Sequence, residues 1–202
     1  MPDYKLWYFN ITGLGEPIRF LMSYAGLDFK DHRLSFEEWP QHKSKMPMEQ
    51  MPILEIDGKV YHQTKAICRY LAKQCKLYSS DDLEALEIDG SIDDIDDMRI
   101  HCMRFFREDD ATYKAKLKAA ALEKMPFYLG KFEERVNKNG GFFVGSKMTY
   151  ADIYFTPVID LLTHFLEHDY LKDYPALKKL HDTVSAHPKI KAYLDKRPKT
   201  AF

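Results

Sequence analysis

The sequence predicts an α/β domain followed by an all-helical domain, and two observations support this fold class. Short strand-like runs alternate with helical patterns up to about Gln74, which is typical of a compact α/β unit. After Leu77 the strand signals stop and long helical patterns follow. The 202 residues, 45% of them hydrophobic, are enough for two small domains. We therefore expect domains at residues 1–78 and 79–202.

The first domain has the predicted order βαβ, loop, ββα. Residues 4–9 (YKLWYF) form the first strand, and a helix with an early proline runs from residue 15 until Gly26 ends it. Residues 28–34 form a weaker strand. Two prolines between residues 35 and 50 predict a loop or a broken helix.

A hairpin follows, with Asp57-Gly58 as its tight turn. Pro52 stands at the mouth of this hairpin. Because X-Pro is the only peptide bond that is cheaply cis, at about 0.5–1 kcal/mol, a cis bond here would turn the backbone of Met51 outward toward an extended ligand. The alternative is an ordinary turn proline at the start of a strand.

Gln63-Thr64 lies directly before the next helix, and Thr64 is the expected N-cap. The N-terminus of a helix favours a carboxylate or a phosphate, because its free N–H groups carry partial positive charge. The alternative is that Thr64 only caps the helix.

The second domain contains three long helices and two short ones. The buried face of the first helix is predicted to comprise Leu83, Ile88, Ile92, Ile95, Cys102 and Phe106. Leu117, Ala121, Met125, Leu129, Phe132 and Val136 mark the second helix. Thr149 and Asp152 form a capping pattern before the third, so we expect a structural role for Asp152. A proline opens each short helix.

Charge and composition exclude several classes of function. A net charge of -1 offers no basic surface for nucleic acid, and no apolar run approaches the ~20 residues that a membrane helix needs. The N-terminus has no signal-peptide pattern, and Cys68, Cys75 and Cys102 have no CxxC spacing. We expect a cytoplasmic protein in which Cys68 and Cys102 are core residues.

Several stretches together resemble the sigma-class glutathione transferases, in particular those of arthropods. They are "MPILEIDG", "HQTKAICRYL", the tyrosine near the end of the first strand, "FVGSKMTYADIYF" and "KRP". The resemblance implies a thioredoxin-like N-terminal domain with a four-stranded mixed sheet that binds glutathione. It also implies a helical domain that forms the hydrophobic acceptor site and part of a homodimer interface.

The resemblance also implies the site residues. The glutathione-binding positions are Tyr8, Leu14, Trp39, Lys43, Gln50, Met51, Pro52, Gln63 and Thr64, with Asp97 of the partner subunit. Met51 would contact the cysteinyl backbone of glutathione, and Gln63 and Thr64 would hold its γ-glutamyl carboxylate. Thr64 replaces the serine that is usual in this family and keeps the hydroxyl.

Tyr8 is the expected catalytic residue. A thiol titrates near ~8.5 and a phenol near ~10, so at neutral pH a phenol donates a hydrogen bond that stabilises the thiolate. This lowers the pKa of the thiol, and the thiolate is the nucleophile. Without the resemblance, Tyr8 would be interpreted as an aromatic residue packed over the sheet.

An acidic run places Asp93, Asp96 and Asp97 on one predicted helical face. It is a candidate divalent-cation site, as in the prostaglandin-synthase branch of the family, or a solvated acidic surface. By resemblance, Asp97 contacts the glutathione of the partner subunit.

The acceptor site is predicted to comprise Phe9, Leu14, Arg99, Met103 and Phe106. The implied activity is conjugation of glutathione to hydrophobic electrophiles, such as lipid-peroxidation aldehydes and xenobiotics. Prostaglandin D synthases carry arginine at the Leu14 position and tryptophan near Arg104, so the arthropod enzymes are the closer match. The alternatives are a prostaglandin isomerase, a ligand-binding protein or a crystallin-like relative, although "RFFREDDATYKAK" leaves no room for the insertion that is typical of the crystallins.

Overall fold

The computed structural model describes residues 2–200, and their contacts divide the chain into two compact units. The first contains the residues up to Tyr78 together with those from Ser185 onward, and the second is Ser79–Val184. The start of the second unit coincides with the predicted start of the helical domain. The last helix, however, groups with the first unit, because Tyr193 and Arg197 bond to Glu16 in that unit.

The first unit contains a four-stranded mixed sheet with the strand order β2-β1-β3-β4. Its strands are β1 (Tyr4–Phe9), β2 (Phe29–Leu34), β3 (Ile53–Ile56) and β4 (Lys59–His62). β2 pairs parallel with β1, whereas β3 pairs antiparallel with both β1 and β4. Asp57 and Gly58 both have positive φ, at 50° and 81°, as a two-residue hairpin turn of this type requires. The predicted βαβ–ββα order is confirmed.

The helices begin and end near the predicted proline, glycine and capping residues. In chain order they are α1 (Glu16–Ala25), α2 (Trp39–Lys43), α3 (Thr64–Gln74), α4 (Asp82–Cys102), α5 (Ala111–Lys138), α6 (Tyr150–Leu166), α7 (Pro175–Ser185) and α8 (Pro188–Lys196). Gly26 ends α1 in the left-handed conformation, where its N–H bonds to the last turn. The segment predicted as a loop or broken helix contains α2 and a short 3₁₀ turn at Pro47–Glu49.

The second unit is built around α6, which is buried on nearly all sides. The predicted face of α4 is correct for Ile88, Ile92, Ile95 and Cys102, which are buried. It is wrong for its two ends. Leu83 is 73% exposed, and α4 ends at Cys102, so Phe106 lies in a separate 3₁₀ turn and is 39% exposed.

The predicted capping box of α6 is confirmed. The carboxylate of Asp152 accepts hydrogen bonds from the Thr149 N–H at 2.7 Å and from the Phe143 N–H at 2.8 Å. Burial raises the pKa of Asp152 to about 6, although these hydrogen bonds favour the ionised form. Within residues 2–200, no helix is both long and apolar enough to cross a membrane.

Candidate functional site

Tyr8 lies near the end of β1 with its ring buried. Alternate residues of β1 face the core, and Tyr8 is only 7% exposed. The chain then turns back, so that the Leu14 N–H donates a hydrogen bond to the phenolic oxygen of Tyr8 at 3.0 Å. The oxygen accepts this bond through a lone pair, which polarises the phenolic O–H as a donor.

Two glycines on either side of Leu14 make this close approach feasible. A Cβ atom at Gly13 would lie 2.6 Å from the Tyr8 oxygen, and one at Gly15 would lie 2.5 Å from the ring. Gly13 also has a positive φ of 43°. These two glycines were not among the predicted site residues. The available signal was the Gly-Leu-Gly spacing directly after the first strand.

A cleft in the first unit brings together six of the predicted glutathione-binding residues. Its lining comprises Leu14, Gln50, Met51, Pro52, His62, Gln63 and Thr64. The Met51-Pro52 peptide bond is cis. His62, at the end of β4, is the lining residue that sequence reasoning missed.

The N-terminus of α3 forms one wall of this cleft. Gln63 is the N-cap, with φ 77° and no side-chain capping bond, and Thr64 is the first helical residue and is buried. The cap therefore lies one residue earlier than predicted. The Ile67 N–H bonds to the Gln63 carbonyl at 3.0 Å, so the N–H groups of residues 64–66 lie ahead of the first intrahelical bond. Such an end attracts a carboxylate.

Trp39 and Lys43 lie on α2 of the first unit, and the lining of this cleft does not include them. The Trp39 ring meets the edge of Phe9 at 5.5 Å between centroids, and Phe9 stacks on Phe36 at 4.7 Å. The Lys43 ammonium lies 3.6 Å from the Glu49 carboxylate. Phe9, predicted in the acceptor site, thus packs against aromatic residues of its own unit.

The other predicted acceptor residues belong to the second unit. Arg99 donates to the Asp96 carboxylate at 2.7 Å, and Met103 caps the end of α4. The Phe106 ring packs edge-on against Phe165 at 4.8 Å.

The acidic run of α4 does not form the predicted cluster. Asp93 and Asp97 are exposed, whereas Asp96 is buried and pairs with Arg99, so the three carboxylates do not share one environment. Over residues 2–200, no group of three or more His, Cys, Asp or Glu side chains is arranged to hold a metal ion.

The buried cysteines are core residues, as predicted. Cys68 and Cys102 are fully buried, and burial raises the pKa of both thiols. Neither therefore has the lowered pKa of a nucleophilic thiol.

Comparison with known proteins gives a consistent result across the chain. The model of the glutathione S-transferase N-terminal domain matches residues 4–73, and that of the glutathione S-transferase C-terminal domain matches residues 96–197. A glutathione S-transferase of Anopheles gambiae is 43% identical over 99% of both chains. A hematopoietic prostaglandin D synthase of Gallus gallus is 37% identical over the full length of both. The solved structure of prostaglandin synthase D of Nilaparvata lugens superposes with a TM-score of 0.95 at 43% identity, covering 98% of this chain and 100% of that one.

Proposed function

The chain belongs to the glutathione S-transferase family, and we propose that it is a sigma-class transferase in which Tyr8 activates the glutathione thiol. The observation that carries the proposal is the bond from the Leu14 N–H to the Tyr8 oxygen at 3.0 Å. It orients the phenol and strengthens it as a donor toward a sulfur atom bound within hydrogen-bonding distance.

The proposed activation depends on the thiol of glutathione having a lower pKa than the phenol of Tyr8. A thiol with an ordinary pKa of about 8.5 is mostly protonated at neutral pH. A hydrogen bond from the neutral phenol favours the thiolate over the thiol, and each unit by which the thiol pKa falls corresponds to about 1.4 kcal/mol. The thiol proton leaves to solvent, and Tyr8 keeps its own.

The lining of the cleft supports the proposed position of glutathione. The N-terminus of α3, with Gln63 and Thr64, would hold the γ-glutamyl carboxylate. Gln50, Met51 and Pro52 would follow the peptide backbone. Trp39 and Lys43 would face the glycine end, where Lys43 supplies a cation for the second carboxylate.

The proposed acceptors are hydrophobic electrophiles, including lipid-peroxidation aldehydes and xenobiotics. With a hydroxyalkenal, the thiolate forms a C–S bond at the β-carbon and the α-carbon gains a proton. With a chloronitrobenzene, the C–S bond forms and chloride leaves. The proposed acceptor-binding residues are those that the resemblance implies, namely Phe9, Leu14, Arg99, Met103 and Phe106.

We extend the proposal to a cytoplasmic homodimer in which Asp97 of the partner subunit contacts the bound glutathione. Exposed apolar side chains support it. In the first unit, Val60, Tyr61 and Tyr70 are 40%, 41% and 39% exposed, and they line a groove beside β4 and α3. Faces of this kind are typical of an interaction surface.

The test is a conjugation assay of the wild type beside Tyr8→Phe, with both acceptors and with binding calorimetry on the same samples. The variant should bind glutathione within a few-fold of the wild type, while ultraviolet titration of the thiolate shows a raised thiol pKa. Activity at neutral pH should fall by roughly the fraction of thiolate lost, about tenfold per unit.

An unchanged thiolate titration would remove the role assigned to Tyr8. Glutathione binding with no turnover of either acceptor would instead favour a ligand-binding or crystallin-like protein.

A second candidate function is a glutathione-dependent prostaglandin isomerase. It is favoured by the likeness to proteins named as prostaglandin D synthases, at 37% and 43% identity. Leu14, in place of the arginine of that branch, argues against it. Conversion of prostaglandin H2 under the same conditions decides between the two activities.

A further inference from the structure

A buried ionic network lies beside Tyr8 in the first unit. Glu16 and Arg19, both on α1, are fully buried, and the Arg19 guanidinium donates to the Glu16 carboxylate at 3.0 Å. It also donates to Asp31 of β2 at 3.1 Å. Arg19 stays charged, since these two carboxylates offset the cost of burying its guanidinium and raise its pKa.

The remaining contacts of Arg19 reach the segment that carries Tyr8. Its guanidinium donates to the Ile11 carbonyl at 2.8 Å and, at the longer distance of 3.5 Å, to the Phe9 carbonyl. Its central carbon lies 5.8 Å from the centroid of the Tyr8 ring. Arg19 therefore contacts both the ring and the turn that carries the Leu14 N–H back to the phenolic oxygen.

On the side away from Tyr8, the network includes a residue of α8 and the residue that follows this helix. Glu16 uses one carboxylate oxygen for Arg19 and the other for the Tyr193 hydroxyl, at 3.0 Å, and for the Arg197 guanidinium. Arg33 bonds to Asp31 at 2.7 Å and to the Tyr193 hydroxyl at 3.4 Å.

Because its two carboxylate oxygens bond to different partners, Glu16 couples Arg19 on one side to Tyr193 and Arg197 on the other. If Arg197 is lost, a fully buried carboxylate keeps one strong cationic partner, Arg19, and its orientation is no longer held from the other side. The Arg19 guanidinium is then able to turn toward Glu16, away from the carbonyls that it holds.

We propose that Arg197 and Tyr193 are positioning residues for Tyr8, acting through Glu16 and Arg19. The proposal rests on the proposed function of Tyr8 in activating the thiol. It gives residues at the end of α8 a role in thiolate formation, although they lie about 190 residues from Tyr8 in the sequence.

The test compares Arg197→Ala, Arg197→Lys and Tyr193→Phe, with Lys191→Ala as the matched control. Lys191 lies on the same helix but pairs with exposed Asp195, at 3.2 Å, outside the network. Thiolate titration of bound glutathione should show a rise in thiol pKa of about 0.5–1 unit for Arg197→Ala. This lowers the rate about three- to tenfold below the thiol pKa, and the effect disappears at high pH.

Arg197→Lys should raise the thiol pKa less than Arg197→Ala does. Tyr193→Phe should also raise it less, and should lower the rate about twofold. Lys191→Ala should match the wild type. Adding Arg197→Ala to Tyr8→Phe should produce no further change in the thiol pKa, because the effect passes through the tyrosine.

If Arg197→Ala raised the thiol pKa by the same amount in the Tyr8→Phe background, the proposal would be overturned. The effect of Arg197 would then be a general effect of its charge on the thiol. Lower melting temperatures for Arg197→Ala and Tyr193→Phe with an unchanged thiol pKa would also overturn the proposal. If Arg197→Ala does not fold, Tyr193→Phe, which loses only a hydroxyl, carries the test. If Tyr8→Phe itself leaves the thiol pKa unchanged, the proposed function fails first, and the two failures are thereby distinguished.

Discussion

The environment of Tyr8 depends on the small residues around it as much as on its hydrogen bond. Gly13 and Gly15 leave room for the ring and its hydroxyl, with 2.6 and 2.5 Å to the positions where a Cβ would lie. Real Cβ atoms do not approach so closely, so any side chain here must displace the tyrosine or the turn.

Gly13→Ala tests this at the residue scale. The added methyl should push the Tyr8 hydroxyl away from the thiol, raising the thiol pKa and lowering kcat/KM at neutral pH by about tenfold, equivalent to one pKa unit. The measurements are thiolate titration and steady-state kinetics.

Gly58→Ala is the matched control. Gly58 also has a positive φ, 81°, but a Cβ there meets nothing within 4 Å. Both variants should lose roughly 1 kcal/mol of stability to the left-handed backbone conformation. Equal loss of activity in both would show that backbone strain, and not contact with Tyr8, is responsible.

At the scale of the element, the capping box of α6 illustrates a buried acid with a structural role. Asp152→Ala removes the acceptor from three buried donors, the N–H groups of Phe143 and Thr149 and the Thr149 hydroxyl. We expect a loss of about 3 kcal/mol or more in the free energy of unfolding, since each of the three unpaired donors costs about 1–3 kcal/mol. Denaturant titration measures it.

The variant should keep its glutathione chemistry as long as it is folded. Glu134→Ala, at an exposed position on α5, should change the stability by no more than about 0.5 kcal/mol. A specific loss of thiolate formation in folded Asp152→Ala would contradict a purely structural role.

The stability contributed by the contact between α6 and α7 should depend on pH, because His181 pairs there with Asp160. Burial lowers the pKa of this imidazole, but Asp160 at 2.9 Å and Asp182 at 3.5 Å outweigh burial and raise it. Because the folded-state pKa is above the ordinary value of about 6.5, the stabilisation is complete below that value. It is lost as the pH rises through the raised pKa.

His181→Gln should therefore destabilise the protein more at about pH 5.5 than at about pH 9. We expect a difference of about 0.5–1 kcal/mol, typical of a partly exposed ion pair. Unfolding titrations at both pH values provide the comparison, with His168→Gln at an exposed site as the control. An equal effect of His181→Gln at both values would exclude the ion-pair explanation.

At the scale of the whole molecule, the proposed dimer makes Asp97 part of the partner's site. Asp97 is exposed on α4, whereas its neighbour Asp96 is buried. Asp97→Ala should weaken glutathione binding about fivefold, close to 1 kcal/mol, with little change in kcat at saturating glutathione. Calorimetry and light scattering together measure this.

Asp82→Ala removes an exposed carboxylate from the first turn of the same helix and serves as the control. Glutathione affinity should stay at the wild-type value in this variant. A monomer in solution with unweakened glutathione binding would rule out a contribution from the partner.

Much of the fold was predictable because its signals are local. The Asp57-Gly58 turn, the capping pattern at Thr149 and Asp152, and the prolines that open α7 and α8 each depend on a few neighbouring residues. The errors of prediction concern the end of a helix and a side-chain pairing, neither of which the hydrophobic period specifies. Phe106 lies beyond the end of α4, and Asp96 turns inward to pair with Arg99.

Local sequence therefore determined the strands, the helices and most of their caps, because backbone preference and hydrophobic period act over a few residues. The residues of the cleft other than His62 were implied by the resemblance to a known family. Only the tertiary structure decided that Gly13 and Gly15 pack on Tyr8, and that Tyr193 and Arg197 return to Glu16. Those contacts join groups distant in sequence, and a buried charge takes whichever partner the fold brings within reach.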